Sequence, residues 1–535
     1  MDVQHTSHYD VAIVGYGPVG QALSILLGRA GHRVVAIEKW PEFYPMPRAV
    51  HFDHEVARIL QHLGLRPDQS DAIEPYDALY AWRNADREDL MLVDWSGVGP
   101  TGWHTANFFA QPLFEPQLDR LARSQPTVTT LRGWEVIDIA QPADDSSEPV
   151  RLTLHGSDGT KHNGERRRVS ADYVIGADGA NSFVRRTMGA GWHDLGFYFD
   201  WLIVDLILSE QQVFDPPAWQ LCDPARPTTI VPGGPGRRRW EFLRLPDETI
   251  ADLNKTERAW ELLEPWGVHP GNAALERHTV YTFQAKWSET WRSGRLMIAG
   301  DAAHLMPPFA GQGMCAGLRD AMNLAWKLDL VLRGQADDTI LDSYGPERTP
   351  HVRAFIDFSI ALGKLICITD PAEAAARDAR MIADRKDPNV TPEPAPSPRL
   401  GPGVQRAGDP LAGTMSIQPR VTGATSSGLL DDVVGPGILL TTGESVIDDR
   451  RRKALSEVGI TVVTLGETPA GAVLVDDTAA YTTWLASHGA AAILIRPDFA
   501  IFGSVGDSAG VADLVDDYLT QLGHTALAAF PVAAG

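Results

Sequence analysis

The chain has 535 residues, of which 44% are hydrophobic and 22% charged, an ordinary globular composition with room for two or three domains. Its formal net charge of −22 disfavours nucleic acids and anionic membranes as partners, because both are polyanions. Three widely spaced cysteines, Cys222, Cys315 and Cys367, support neither a disulfide framework nor a zinc site. No apolar run has the length of a membrane span or a signal core, so we expect a cytoplasmic protein. We expect it to be a monomer or a homodimer.

The first predicted elements form a strand–turn–helix–strand unit. In chain order they are an apolar run over 11–14, the turn Gly15-Tyr16-Gly17-Pro18-Val19-Gly20, a helical segment over 21–30, and an apolar run over 34–37 that ends in Glu38. Gly15 permits a tight turn, Gly17 lets the backbone approach a pyrophosphate, and Gly20 lets the helix pack on the strand. The helix start can hold phosphates, and Glu38 can bind a ribose hydroxyl. We predict a dinucleotide site; a purely structural glycine turn is the alternative.

A second stretch, Gly97-Val98-Gly99-Pro100-Thr101-Gly102, has the same glycine spacing. Neither an amphipathic helix nor a strand ending in an acid follows it, so we predict a surface loop. The chain then has one nucleotide-binding unit. A pyridine nucleotide that takes part in the reaction would have no such site of its own and would bind transiently.

The middle of the chain alternates strand and helix patterns. We expect helices over 55–63, 111–124 and 317–332, with further helices to about residue 384. We expect strands within 77–103, at 150–154 and 171–175, repeatedly over 199–244, and at 280–283 and 296–299. Two basic runs, Arg166–Arg168 and Arg237–Arg239, are expected to be solvated turns.

The C-terminal part begins with a segment rich in proline. Residues 387–403 contain six prolines, which predicts a stiff linker. Beyond it, strands are expected at 437–440, 460–465, 472–475 and 491–495, and helices at 450–458, 478–488 and 510–522. This alternation predicts a small α/β domain.

Two further motifs each place an aspartate after a predicted buried strand. Asp178 lies in Gly176-Ala177-Asp178-Gly179, and Asp301 lies in Gly300-Asp301-Ala302-Ala303-His304. Ligands bind at the carboxyl ends of strands in open α/β sheets. The turn Gly311-Gln312-Gly313-Met314 then enters the long helix, whose N-terminus can stabilise an anion. Any one of these motifs could be a structural turn, but the three together in this order indicate a ligand-binding site more specifically.

With these motifs, residues 8–365 resemble the single-component flavoprotein aromatic hydroxylases, the class A flavin monooxygenases. Within that family the chain is similar to the 3-(3-hydroxyphenyl)propionate hydroxylases. That closer likeness lies in Phe52-Asp53-His54-Glu55, in residues 222–227, in Arg239-Trp240-Glu241-Phe242 and in residues 319–328. The tail resembles the thioredoxin-like domain of phenol hydroxylase relatives, notably at residues 493–498. It has no cysteine and therefore cannot exchange disulfides.

The resemblance implies an α/β fold: a Rossmann-like FAD-binding domain, an inserted mixed-sheet substrate domain and a C-terminal thioredoxin-like domain. We assign residues 1–76, 104–190 and 287–386 to the FAD-binding domain. Residues 77–103 and 191–286 form the substrate domain. Residues 387–420 are the linker, and 421–535 are the thioredoxin-like domain.

The resemblance also implies which residues bind FAD. Asp178 serves FAD and the transient nicotinamide cofactor, Asp301 bonds the ribityl chain, and the 311–313 turn faces the flavin pyrimidine edge. Arg48 reaches the phosphates or adenosine, and Gln111 lies beside the flavin chain. The full predicted set is Gly15, Gly17, Pro18, Val19, Gly20, Glu38, Lys39, Arg48, Gln111, Asp178, Gly300, Asp301, Pro308, Gly311, Gln312, Gly313 and Met314; no metal site is predicted.

The implied reaction uses FAD, NAD(P)H and O2. Reduced FAD takes up O2 as a C4a-hydroperoxide, which hydroxylates a phenol. We name His51, Asp53 and Tyr281 as candidates for deprotonating that phenol. His51 stands where the hydroxyphenylpropionate hydroxylases have a small residue near the flavin, so the substrate of this chain can differ from theirs. Each candidate also has a structural interpretation. His51 can be a hydrogen-bonded loop histidine, Asp53 a helix N-cap, and Tyr281 a packing residue between strands.

Other functions remain open from the sequence. A flavin oxidoreductase that does not insert oxygen would turn over without O2, and a flavin-binding protein that sequesters its ligand would never oxidise NAD(P)H. Flavin-dependent halogenation is disfavoured because the Trp-x-Trp-x-Ile-Pro signature is absent. The substrate can be a 3-hydroxyphenylpropanoid acid or a larger polyketide-type phenol. Arg226 could pair with a substrate carboxylate, although a surface arginine is the simpler interpretation.

Overall fold

The structure, a computed structural model, describes residues 7–43, 49–143, 146–209, 212–391, 395–443, 447–468 and 471–523. Its strands are β1 (Ser7–Val14), β2 (Val34–Glu38), β3 (His51–Asp53), β4 (Ile73–Tyr76), β5 (Leu79–Arg83), β6 (Asp89–Asp94), β7 (Ala106–Phe109), β8 (Val128–Arg132), β9 (Trp134–Ala140), β10 (Val150–Gly156), β11 (Arg166–Gly176), β12 (Trp192–Leu208), β13 (Ala218–Leu221), β14 (Thr228–Pro232), β15 (Arg237–Leu243), β16 (Ala273–Ser288), β17 (Arg292–Ser293), β18 (Leu296–Ile298), β19 (His304–Leu305), β20 (Arg420–Thr422), β21 (Ser427–Leu429), β22 (Ile438–Thr441), β23 (Thr461–Leu465), β24 (Val473–Asp476), β25 (Ala492–Ile495) and β26 (Ile501–Val505).

The helices are α1 (Pro18–Arg29), α2 (His54–Leu63), α3 (Gln111–Arg123), α4 (Phe183–Thr187), α5 (Ile250–Leu253), α6 (Thr256–Leu263), α7 (Gly313–Leu332), α8 (Tyr344–Ile366), α9 (Pro371–Lys386), α10 (Leu430–Val434), α11 (Asp449–Glu457), α12 (Ala480–Ser487) and α13 (Val511–Gln521). None of those helices is both long and apolar enough to cross a membrane.

The first sheet is built around five parallel strands in the order β18-β11-β1-β2-β8, extended by β17, β10 and β9. Residues 11–13 of β1 are fully buried; α1 packs on the sheet, and α7 packs on α1. The carboxyl ends of β1, β11 and β18 lie side by side, so the motifs that begin at Gly15, Gly176 and Gly300 meet at one edge. This arrangement is the predicted Rossmann-like unit.

The second sheet has the order β19-β16-β12-β15-β14-β13-β5-β6 and is antiparallel except between β13 and β5. Side chains alternate between its faces. One face packs in a hydrophobic core with α5 and α6, through residues such as Leu202, Val204 and Trp240. The opposite face lines a cavity.

The prediction that Arg237–Arg239 forms a solvated turn is wrong. These residues begin β15, and Arg238 and Arg239 are buried. Strand alternation places Arg239 on the cavity face, where an acidic partner on the next strand compensates its charge. The other basic run, Arg166–Arg168, begins β11 rather than a turn, with its first and third residues exposed.

The predicted strands and helices of the C-terminal part are confirmed. Its sheet has the order β21-β20-β24-β23-β22-β25-β26, with β22, β23 and β24 parallel and β25 and β26 antiparallel. The thioredoxin-like character of this unit stays a prediction. Of the predicted linker, the described part contains neither helix nor strand before β20, but from about residue 400 it packs on the rest of the chain: Val404 is buried, and its N–H donates to Glu347.

Two buried charge clusters join the C-terminal unit to the helices that border the first sheet. Arg58 of α2 is fully buried and its Nε lies 2.6 Å from Asp431 Oδ2. Glu347 of α8 lies between Lys327 Nζ of α7 and Arg496 Nη2, each at 2.8 Å from its Oε2. All three residues are buried, so neither unit has a water-exposed surface at this contact.

The second glycine stretch, 97–102, has no helix after it, as predicted, but it is only partly a surface loop. Gln418 donates its backbone N–H to the Pro100 carbonyl at 2.9 Å and its side-chain amide to the Thr101 carbonyl at 2.7 Å. Thr101 is fully buried. The loop is therefore part of the contact with the C-terminal unit.

Candidate active site

A continuous cavity of about 300 Å³ lies between the carboxyl edge of the parallel sheet and the inner face of the antiparallel sheet. At one end it is lined by loop residues that the sequence analysis assigned to the cofactor: Gly17, Pro18, Val19, Gln111, Gly300, Asp301, Pro308, Gly311, Gly313 and Met314. At the other end it is lined by strand residues, among them Tyr80, Ile203, Gln220, Thr229, Arg239, Glu241, Arg277, Thr279, Tyr281 and Phe283.

The first glycine loop has the geometry that a pyrophosphate site requires. Gly15 has φ +98°, and a Cβ there would lie 2.3 Å from the Ala177 carbonyl oxygen. A Cβ on Gly20 would lie 2.2 Å from the Gly15 carbonyl oxygen, so α1 packs directly on the turn. Gly17, in contrast, faces open space, with no heavy atom within 4 Å of its Cβ position. No side chain caps the start of α1 there, which leaves backbone N–H groups available to an anion.

Glu38 lies at the end of β2, beside this loop. Its carboxylate accepts hydrogen bonds from the backbone N–H groups of Tyr16 at 2.9 Å and Trp40 at 3.0 Å. The neighbouring Lys39 ammonium lies over the Trp40 ring, 5.7 Å from its centroid. Neither predicted ligand lines the cavity itself. The Glu38 carboxylate thus lies against the first glycine loop, and its role toward a ribose stays a prediction.

The two aspartate motifs occupy different positions at the sheet edge. Asp178 Oδ2 accepts from the N–H groups of Phe183 and Val184 at the start of α4, while its buried Oδ1 has no partner among the described residues. Burial raises the pKa of Asp178. Asp301 lines the cavity directly, next to Gly300, which has φ +61°.

Helix α7 points its N-terminus at the cavity. Gly313 and Met314 line the cavity, and no side chain caps the helix. The side chain of Gln312 turns away, donating to Asp53 at 2.9 Å and accepting from Arg319 at 3.0 Å. The helix dipole is therefore available to negative charge that develops in the cavity.

Two predicted ligands come from other loops. Gln111 begins α3 and lines the cavity; its side-chain oxygen accepts from the backbone N–H of Ala49 at 3.1 Å. Arg48 lies outside the described residues.

His51 lies in the cavity wall, directly beneath the 311–313 turn. A Cβ on Gly311 would be 2.6 Å from His51 Nδ1. The imidazole stacks on Trp95 with a centroid distance of 4.9 Å and meets Phe108 edge-on at 5.4 Å. Neither ring nitrogen has a hydrogen-bond partner among the described residues. Burial lowers the pKa of His51 against the opposing effects of Asp53 and of the neighbouring Gly311 backbone, so the ring is neutral at pH 7 and can accept a proton.

Asp53 does not line the cavity. Its Oδ1 caps α2 through the N–H groups of Glu55 and Val56, and its Oδ2 pairs with Arg319 Nη2 at 2.6 Å. Although burial raises the pKa of Asp53, Arg319 holds it well below its usual range. A carboxylate in this position is a weak proton acceptor, so the structure favours the N-cap interpretation.

Tyr281 and Arg226 differ in their relation to the cavity. Tyr281 lines it from β16 and is 38% exposed, with its ring 6.0 Å from that of Phe283. Arg226 pairs with Glu248 through two contacts of 2.7 Å and does not line the cavity. A substrate carboxylate would have to displace that pairing to bind Arg226.

The sequence analysis missed the charged far end of the cavity. Asp205 lies between two arginines: its oxygens are 2.6 Å from Arg239 Nε and 2.6 Å from Arg277 Nη2. All three side chains are buried. The paired arginines hold the pKa of Asp205 below its usual value against the effect of burial.

Beside this cluster lies a neutral polar chain. Gln220 donates to the Tyr80 hydroxyl, and its side-chain oxygen accepts from Thr229 Oγ1 at 2.6 Å. Glu241 lies next to it, with Oε1 3.7 Å from Arg239 Nη1. Burial raises the pKa of Glu241 to about 7. The alternation of polar and apolar residues in β15 could have indicated an inward polar face, but six strands contribute to that face: β5, β12, β13, β14, β15 and β16.

Comparisons with known proteins agree with this geometry. Residues 8–359 match the model of the FAD binding domain family, and residues 413–521 match the HcaD C-terminal domain. The chain is 37% identical over 520 residues to a probable NADH-specific resorcinol 4-hydroxylase of Rhodococcus jostii (strain RHA1), covering 96% of this chain and 95% of that protein. It is 34% identical over 526 residues to a 3-(3-hydroxy-phenyl)propionate/3-hydroxycinnamic acid hydroxylase of Mycolicibacterium smegmatis, covering 92% and 90%.

Solved structures share the fold over nearly the whole chain. The flavin-dependent monooxygenase PieE, in complex with FAD and substrate, has a TM-score of 0.79 at 19% identity, covering 97% of this chain and 99% of that one. Aklavinone-11 hydroxylase, with FAD and aklavinone, has a TM-score of 0.76 at 25% identity, covering 97% and 100%. The predicted α/β architecture and the predicted activity, FAD-dependent hydroxylation of a phenol with NAD(P)H and O2, are confirmed, and the chain belongs to the FAD-dependent aromatic hydroxylases, the class A flavin monooxygenases.

Proposed function

We propose that this chain hydroxylates a small, uncharged, one-ring phenol that carries a second hydroxyl group, as resorcinol does, with NADH as the reductant. The observation that carries the proposal is the far end of the cavity. Its hydrogen-bonding groups, Tyr80, Gln220, Thr229 and Glu241, suit a hydroxyl group, and both of its arginines already hold Asp205.

The size of the cavity supports a one-ring substrate. A volume of about 300 Å³ is at the small end of the range for ligand pockets, and part of it belongs to the flavin. The similarity to the Rhodococcus protein, which is named NADH-specific and resorcinol-hydroxylating, points the same way.

We further propose that the predicted loops hold FAD. Gly17 leaves room for the pyrophosphate, Glu38 suits the ribose, and Asp301 and Gln111 line the part of the cavity next to them. The N-terminus of α7 stabilises negative charge on the bound flavin. FAD, once reduced by NADH, supplies the chemistry that activates O2, so that one oxygen atom enters the ring and the other leaves as water.

His51 is our candidate for the proton acceptor of the phenol. It is neutral, it lines the cavity beside the 311–313 turn, and its ring nitrogens are unpartnered among the described residues. The stack of His51, Trp95 and Tyr80 forms an aromatic wall that excludes water from the reacting ring, with centroid distances of 4.9 and 4.6 Å. Tyr281, on β16, is a second polar side chain that lines the cavity.

A substrate screen tests the proposal. The holoenzyme is given NADH and O2 with resorcinol, with 3-(3-hydroxyphenyl)propionate, or with a polycyclic phenol, and NADH oxidation, O2 uptake and hydroxylated product are measured together. We expect coupled turnover with the highest kcat/KM for resorcinol. A higher kcat/KM for the carboxylate or the polycyclic phenol would overturn the proposed substrate class, and turnover without O2 would indicate a different reaction.

A further inference from the structure

We infer that Tyr80 orients the substrate: its hydroxyl donates a hydrogen bond to the second oxygen of the phenol and so fixes how the ring lies in the cavity. Tyr80 belongs to β5, one of the strands at the far end of the cavity. This inference rests on the proposed function, because it names the residue that would hold the second hydroxyl group of a diol.

The hydrogen bonds around Tyr80 have a fixed direction. Thr229 Oγ1 donates to Gln220 Oε1 at 2.6 Å, and Gln220 Nε2 donates to the Tyr80 hydroxyl oxygen. An amide N–H donates but does not accept, so the proton of the Tyr80 hydroxyl has to point elsewhere. Among the described residues, no group accepts a hydrogen bond from that hydroxyl. The Tyr80 O–H is therefore available to an acceptor inside the cavity.

The Tyr80 hydroxyl is buried and keeps its proton. The residue is only 5% exposed although it lines the cavity. Burial raises the pKa of Tyr80 well above its usual range, against the opposing effect of the hydrogen bond from Gln220. A buried O–H without an acceptor is costly, and a substrate oxygen would relieve that cost.

Tyr80 is held rigidly and close to His51. Both rings stack on Trp95, with centroid distances of 4.6 Å for Tyr80 and 4.9 Å for His51. The centroids of Tyr80 and His51 are therefore separated by no more than the sum of those two distances. Trp82 also meets the Tyr80 ring edge-on at 6.4 Å. We expect a one-ring diol to present its first hydroxyl to His51 and its second oxygen to Tyr80, which holds the ring at two points.

The neighbouring polar groups differ from Tyr80 in what they can offer a substrate. Arg239 and Arg277 already hold Asp205. Glu241 also lines the cavity, and burial raises its pKa to about 7, so at pH 8 it is mainly ionised and can only accept a hydrogen bond. An oxygen that accepts but cannot donate would therefore bind Tyr80 and not Glu241.

The decisive variant is Y80F, which keeps the aromatic ring and removes only the hydroxyl. Two quantities are measured at pH 8: the Kd for the oxidised holoenzyme, from the change in flavin absorbance, and the steady-state kcat/KM. The three phenols are resorcinol, whose second oxygen can donate and accept, 3-methoxyphenol, whose second oxygen can only accept, and 3-methylphenol, which has no second oxygen.

Y76F is the matched control. Tyr76 is buried beside the same indole, with its ring 6.0 Å from that of Trp95, but its hydroxyl donates to the Leu79 carbonyl at 2.6 Å. It does not line the cavity. Y76F should leave the ratios among the three phenols unchanged.

In Y80F we expect resorcinol and 3-methoxyphenol each to bind roughly 3–10-fold more weakly, the effect of one hydrogen bond, with a similar fall in kcat/KM. The values for 3-methylphenol should change by less than about twofold, because that substrate makes no hydrogen bond to Tyr80. The Gln220 N–H that Y80F leaves without its acceptor affects all three phenols alike.

An equal change for the three phenols would overturn the inference and leave the proposed function standing. A loss for resorcinol without one for 3-methoxyphenol would also overturn it, because the substrate would then be the donor. If the wild type has a higher kcat/KM for 3-(3-hydroxyphenyl)propionate than for resorcinol, the proposed substrate fails. The expected pattern among the three phenols would still support Tyr80 as the donor.

A second variant applies even if Y80F does not fold. T229V keeps the shape of the side chain and removes the donor that orients the Gln220 amide. The amide can then turn its oxygen toward Tyr80 and accept the hydroxyl proton that the substrate would otherwise receive. We expect the same pattern as in Y80F, with a smaller loss for resorcinol and 3-methoxyphenol. Unchanged ratios to 3-methylphenol in T229V would contradict the inference.

Discussion

Two alanine substitutions in the first glycine loop should separate FAD binding from folding. G17A should weaken FAD binding without destabilising the apo-protein, and G20A should destabilise the folded protein. Gly17 has φ −76°, which alanine adopts, and its Cβ position is open. Reduced freedom of the unfolded chain favours alanine by about 0.4–1 kcal/mol, and the N-cap preference for glycine opposes it by a similar amount. We therefore expect G17A to leave the stability of the apo-protein within about 0.5 kcal/mol of wild type.

FAD binding should nevertheless weaken in G17A, because the new methyl group occupies the space that the pyrophosphate approaches. Losing one hydrogen bond to a charged group costs about 1.5–3 kcal/mol, or roughly 10–150-fold in Kd. G20A should behave differently. Its Cβ would lie 2.2 Å from the Gly15 carbonyl oxygen, so the backbone must shift at a cost of about 1–3 kcal/mol in folding.

The assay is FAD titration of the apo-protein by flavin fluorescence, together with urea unfolding of the same preparations. G443A is the control, because Gly443 also has open space around its Cβ position and lies far along the chain, in the C-terminal unit. Wild-type FAD affinity in G17A would refute the assignment of Gly17 to the pyrophosphate. Unchanged stability in G20A would refute the close packing of α1 on the turn.

The remaining predictions concern one proton acceptor and one buried charge. H51N should lower kcat for hydroxylation about 10²–10⁴-fold while FAD stays bound, as measured by turnover and absorbance; unchanged hydroxylation would remove His51 from the mechanism. E347Q leaves Arg496 and Lys327 without their shared carboxylate and should destabilise the holoenzyme by about 3–5 kcal/mol in urea unfolding at pH 7. The loss should be smaller at pH 9, because burial already lowers the pKa of Lys327 to about 8, so that this lysine can release its proton while Arg496 cannot. A loss below about 0.5 kcal/mol at pH 7 would contradict that account.

The loops that we propose to hold FAD could be located from the sequence, because each of their motifs is local. The turn at Gly15 depends on residues that follow one another, and the same is true of the loops after β11 and β18. A positive φ or a close backbone approach requires glycine wherever the turn is placed, so the pattern is visible in the sequence. The structure then places these loops at one sheet edge.

Individual residues near those motifs were less predictable. His51 and Asp53 are two positions apart, yet one lines the cavity and the other caps α2 and pairs with Arg319. Their positions in the sequence could not distinguish these two roles, since each role depends on which residues the side chain contacts in the folded protein. Arg319 is more than 260 residues away in the chain.

The sequence by itself determined that the chain contains a strand–turn–helix dinucleotide unit, a strand-rich middle part and an α/β tail, because strand and helix periods and glycine turns are local properties. Only the tertiary structure decided the substrate end of the cavity. Tyr80, Asp205, Gln220, Glu241 and Arg277 come from five strands, β5, β12, β13, β15 and β16. Which face of each strand points inward, and which charges pair there, depends on how the sheet packs between α5 and α6 on one side and the cavity on the other.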